Sequence, residues 1–130
     1  MSAVKIDSEG FPYWTKDKDA VKAYVLDLRN HPKGGLLAVG ESITAIAVSI
    51  TAGNGESPVE LKAGDGSTPV TTPAGPSVTP SAPTTDGSKV VVPLYGGTDG
   101  VTYTVTVHFV TDASPVLADD RSFRIKVGEE

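Results

Sequence analysis

Apolar and polar residues alternate with a period of two through the last third of the chain. Tyr103, Val105, Val107 and Phe109 alternate with Thr102, Thr104, Thr106 and His108. Successive side chains of a strand point to opposite faces, so this pattern predicts a strand with one buried face. Phe123, Ile125 and Val127 alternate in the same way with Ser122, Arg124 and Lys126, predicting a final strand with a cationic outer face. The β-branched run at residues 89–94 predicts a third strand. Pro93 implies that its end lies at a sheet edge or bulge, because proline donates nothing to a ladder. Residues 43–50 give a fourth strand, with Ile46, Val48 and Ile50 sharing a face with Thr44, opposite Ala45 and Ala47. Residues 24–28 and 59–62 supply a fifth and a sixth. Residues 17–28 also fit helical spacing, with Asp17 or Asp19 as a cap; a short helical turn followed by a strand reconciles the two patterns.

Turn residues punctuate the strands. Asp86, Asp99 and Asp112 recur every 13 residues, the first two within Thr-Asp-Gly. Asp bonds its own backbone and Gly supplies positive φ, so these positions are expected to end strands. Residues 63–88 hold five prolines among Thr, Ser and Gly, a composition that predicts a loop or edge segment, either with an edge strand near Val70-Thr71-Thr72 or Ser77-Val78-Thr79 or as a mobile loop that orders on a partner. Alternating faces, short turns and no credible long helix together predict an all-β fold, an antiparallel β-sandwich. Within it, Gly100-Val101-Thr102-Tyr103 followed by Thr-Val-Thr-Val resembles the run that opens the penultimate strand of immunoglobulin-like domains. That resemblance implies a tyrosine corner, with the Tyr103 hydroxyl bonded to an upstream backbone group.

Composition narrows the chemistry. The 130 residues carry 11 Lys and Arg against 16 Asp and Glu, a net charge of −5, which argues against a nucleic-acid binder. There is no cysteine, so disulfides, thiolate metal sites and thiol nucleophiles are excluded. Residues 34–120 hold only Lys62 and Lys89 against nine acids, concentrating the acidity in the middle of the chain. No apolar run approaches the roughly 20 residues that span a bilayer. The first ten residues lack the apolar core of a signal peptide, so a protein made and soluble in a cytoplasm is expected. Catalytic motifs are absent, and His31 and His108 read as solvated side chains. Asp17 with Asp19, and Asp119 with Asp120, are too few ligands for calcium, which takes six to eight oxygens. No cofactor, metal or catalytic residue is predicted.

One cluster stands outside this pattern. Phe11-Pro12-Tyr13-Trp14 holds the only tryptophan and precedes the expected domain body. The division predicted is an extended aromatic arm at 1–19 and a sandwich at 20–128. Terminal segments are ordered only when docked, so the arm is expected to cover one end of the sandwich, to anchor in a neighbouring subunit, or both, with a sugar-stacking platform as a further reading. Phe11, Tyr13 and Trp14 are accordingly the candidate partner-binding residues.

Several segments together carry a wider resemblance: residues 11–21, beginning Phe-Pro-Tyr-Trp-Thr-Lys-Asp; Tyr24-Val25-Leu26-Asp27-Leu28; Gly40-Glu41-Ser42-Ile43; residues 95–107; and residues 120–127. In this order they resemble a family of small Ig-like virion proteins of tailed bacteriophages, of the fibre–tail adaptor kind. Lys18 stands where members usually have Pro, Leu28 where Trp is frequent, Val92-Pro93-Leu94-Tyr95 where a Trp-Leu-Ser segment is usual, and residues 52–68 read as an insertion. The resemblance implies a structural, non-enzymatic virion component, assembled in the host bacterial cytoplasm. It would dock on tail, neck or fibre proteins and form a symmetric multimer in the particle, without nucleic-acid or membrane partners. Two alternatives remain open on sequence: a capsid decoration protein held on the major capsid protein, and a carbohydrate-binding or adhesion module on the virion surface.

Overall fold

The computed structural model describes residues 5–6, 8, 10–28, 42–71, 75–87, 89–112 and 118–128. The alternation at residues 102–109 becomes strand β10 (Thr102–Thr111), and that at 122–127 becomes β11 (Ala118–Val127). In order before them run β1 (Lys5–Ile6), β2 (Pro12–Lys16), β3 (Lys22–Asp27), β4 (Ile43–Ala52), β5 (Leu61–Ala63), β6 (Val70–Thr71), β7 (Ser77–Val78), β8 (Thr84–Asp86) and β9 (Lys89–Gly96). The described residues contain no helix. Where a helical turn was an option, the Ala20 N–H donates to Asp17 O and the Asp19 N–H to the Asp17 carboxylate. That turn leads straight into β3.

One sheet runs β1-β2-β11-β10-β4; the other runs β3-β9-β5, with β8 also paired to β9. Every pairing is antiparallel except β2 with β11, which is parallel. Tyr103, Val105, Val107, Phe109, Phe123 and Ile125 of the first sheet join Tyr24, Leu26, Leu61, Val90, Val92 and Leu94 of the second in one buried cluster. The fold is therefore an all-β sandwich, as the alternation predicts. Burying each such side chain contributes roughly 1.5–3 kcal/mol, and this shared core is what holds the two sheets face to face.

Three details depart from the pattern in sequence. A register shift opposite Val110 and Thr111 leaves Thr44 as the extra residue of a bulge in β4, so Ile43 and Ile46 both turn inward while Thr44 faces out and donates its hydroxyl to Val110 O. Thr44 thus leaves the face of Ile46 on which strict alternation puts it. Pro93 lies not at an edge but in the central strand β9, at the break between the stretches paired to β8 and to β5. Its carbonyl accepts the Gly64 N–H on that side, so the missing donor faces the break, where no ladder partner asks for it. Within residues 63–88, where one edge strand is expected near either place, short strands form at both and pair with each other as β6 and β7. Residues 72–74 and 88 of that stretch lie outside the described residues.

The aromatic segment is part of the sandwich. Tyr13, Trp14, Thr15 and Lys16 pair in register with Arg124, Ile125, Lys126 and Val127. Residues 12–16, expected in an arm ahead of the domain, form strand β2 of the five-stranded sheet.

Candidate functional site

Pairing in a sheet puts registered residues on the same side, so the β2–β11 ladder sorts the aromatic cluster between two faces. Trp14 registers with Ile125 and turns inward. Its ring lies 5.4 Å from Tyr24 and meets Phe123 edge-on at 5.3 Å, a geometry that the ring quadrupoles favour. Tyr24 belongs to the opposite sheet, so Trp14 bridges the sandwich. Tyr13 registers with Arg124 and turns outward.

On that outer face the cations of the last strand find the rings of β2. The Arg124 guanidinium sits 4.5 Å from the Phe11 ring centre, and the Lys126 ammonium 4.0 Å from that of Tyr13. Both distances are well inside the range for cation–π attraction. The order along the seam is Phe11, Arg124, Tyr13, Lys126, with each ring half-buried and Lys126 exposed. A ring and a cation held at fixed spacing form a rigid amphipathic strip, which loses little entropy on contact with a partner. Of the three sequence-derived candidates, Phe11 and Tyr13 share this surface and Trp14 is packed beneath it. Alternation alone marked the cationic outer face of β11; the parallel pairing that brings the rings to it is a long-range event with no local signal.

Lys16 anchors the other end of β2. It is fully buried, and its ammonium donates to the carbonyls of Asp17 at 2.8 Å and Gly96 at 2.9 Å. The strip is thereby tied to the turn after β9. That turn needs glycine twice: Gly96 and Gly97 both have positive φ, and a Cβ on either lands within 3 Å of Glu60 O or of the Val127 side chain.

Next to this turn lies the polar cluster of the tyrosine corner. The Tyr103 hydroxyl accepts the Thr98 N–H at 3.0 Å, the upstream backbone bond that the immunoglobulin-like resemblance implies. It also donates to the Glu56 carboxylate at 2.6 Å, to which the Thr98 hydroxyl and the Glu60 N–H donate as well. Bonds from Thr98, then Tyr103, then Glu60 hold the Glu56 carboxyl below its ordinary pKa. Burial, and next the bond to Glu56, push the Tyr103 phenol up. Glu56 falls in the stretch that reads as an insertion, and nothing in its local sequence marks it as the partner of a tyrosine 47 residues on.

A third cluster crosses the outer face further along. Ser49 Oγ lies 3.2 Å from His108 Nε2, and His108 Nδ1 lies 3.6 Å from Asp120. The residue types are those of a nucleophilic triad, but 3.6 Å is too long for the orienting hydrogen bond, and all three side chains are exposed. A polar cross-strand cluster is the reading its geometry supports. Asp65, exposed, accepts the N–H groups of Ser67 and Thr68 and the Thr68 hydroxyl, which draws its pKa down and shapes the 65–68 turn. Among the described residues no three His, Asp or Glu side chains converge to hold a metal. His31 lies outside the described residues.

Compared with known proteins, residues 16–126 match the family described as podophage GP4 fiber-tail adaptor protein gp77. No curated protein and no solved structure matches the chain.

Proposed function

This chain belongs to the podophage GP4 fiber-tail adaptor family, and from that premise we propose that it is a non-enzymatic structural part of a tailed-phage virion. It docks onto neighbouring virion proteins where fibres meet the tail, as one member of a symmetric multimer assembled in the host cytoplasm. The observation that carries this reading is the extent of the match: residues 16–126 run from the end of β2 almost to the end of β11.

The docking surface proposed is the seam of β2 and β11. Phe11 and Tyr13 meet the partner, Arg124 and Lys126 orient it, and Trp14 fixes the strand from below. A strip of rings and cations on a chain of net charge −5 favours a partner face that is acidic at the seam. The test is incorporation into particles by the double variant Phe11→Ala/Tyr13→Ala. The expected result is loss of the subunit from purified virions, while the isolated variant melts within a few degrees of the parent. Wild-type incorporation excludes the seam as the docking surface. Counting copies addresses position: a tail ring gives about a dozen by symmetry, a shell hundreds.

A further inference from the structure

The far edge of the five-stranded sheet carries a surface that the adaptor reading does not use. Strand β4 ends that sheet and runs for ten residues, Ile43–Ala52, pairing only with β10 among the described residues. Its sequence, Ile-Thr-Ala-Ile-Ala-Val-Ser-Ile-Thr-Ala, contains no charge and no proline, in a chain that is 21% charged. Edge strands are ordinarily guarded by lysine, proline or short length, because their free N–H and C=O groups recruit another strand. Among the described residues only the Ile43 end is occupied, its N–H donating to Gly87 O, and the bulge guards only that same end. Beside the middle of the strand lies a groove of about 330 Å³, walled by Ile46, Val48, Ala63, Ala82 and Pro83 with no charged side chain.

We propose that β4 pairs edge to edge with β4 of a second copy, antiparallel, about a two-fold axis through Val48. The strand's own pattern selects this occupant. With Val48 opposite Val48, Ile46 meets Ile50 of the other copy on the inner side, and Ala47 meets Ser49 on the outer side. Apolar faces apolar, small polar faces small, and no like charges approach. Ile46, Val48 and Ile50 are only half-buried in the single subunit, so each has surface left to cover. Under the same register, Val48 and Ile50 of one copy seat against the groove of the other, and the reverse holds by symmetry, as an isologous contact requires. A neighbour with charged side chains at these positions would leave them uncompensated against an uncharged wall.

The test uses the full purified chain, whose mass is 13.4 kDa. Sedimentation over a range of concentrations is expected to show a reversible dimer. Ala47→Lys, at an exposed position, is expected to weaken dimerisation at least tenfold without lowering the melting temperature. Because the chain has no cysteine, Val48→Cys supplies a single thiol that should give a disulfide-linked dimer on mild oxidation. The proposal is overturned by a chain that stays monomeric up to about 100 µM and whose Val48→Cys variant forms no cross-link. A dimer indifferent to Ala47→Lys overturns it equally. None of these measurements involves phage particles, so a failure here is distinct from a failure of the docking seam.

Discussion

Tyr103 and Glu56 show how one hydroxyl and one carboxylate hold a corner of the molecule. Tyr103→Phe keeps the ring in the core but leaves the Thr98 N–H and the Glu56 carboxylate without their shared partner. The expected cost is roughly 1–3 kcal/mol, read by denaturant unfolding. Glu56 also sets a pH dependence. Its folded pKa lies below the ordinary 4.5, so its contribution is present above that value and is lost as pH falls through the folded value. The parent's melting temperature should therefore fall on acidification below about pH 4.5. Glu56→Gln should be less stable at neutral pH and show a shallower acid slope; an unchanged slope would exclude Glu56 as a source. Trp14 and Tyr13 separate in the same way. Trp14→Ala removes a ring packed on both sheets and should cost roughly 3 kcal/mol, whereas Tyr13→Ala should barely move the melting temperature. Equal losses would mean that both rings serve the core.

Among the elements, β2 joins core to surface. Its parallel seat beside β11 is fixed inside by Trp14, at its end by Lys16 and outside by the two cation–ring contacts. Lys16→Ala removes a fully buried side chain and the hydrogen bonds it donates to two part-buried carbonyls, so a loss of about 2–3 kcal/mol is expected in chemical denaturation. Proteolysis should cut first near residue 16, because β2 is released before the sheets part. An unchanged cleavage pattern would mean that Lys16 does not hold the strand. How far these elements can be read from sequence depends on the range of their causes. Strands β10 and β11 are legible because alternation is written residue by residue. The Thr44 bulge is not, since it answers to a register with Val110 of β10, 66 residues away. Pro93 is misread by a rule about edges, because the break it occupies is made by two other segments, β8 and β5. The aromatic cluster is visible as a cluster, but its division into an inner tryptophan and an outer tyrosine follows from a pairing that no local pattern encodes.

At the scale of the whole molecule, a disulfide-free sandwich presents two distinct surfaces. The outer face at the β2–β11 seam carries rings and cations, and the border strand β4 is long and uncharged. If the seam docks and the edge self-pairs as proposed, one part joins unlike neighbours while pairing with its own kind. Whether the β2–β11 face docks in the virion is tested most directly by a density map of an intact particle, at a resolution that places this two-sheeted subunit. The expected result is subunits at the tail, with Phe11 and Tyr13 against a neighbouring virion protein. Subunits spread over the capsid shell, or the β2–β11 face turned to solvent in every copy, would contradict it.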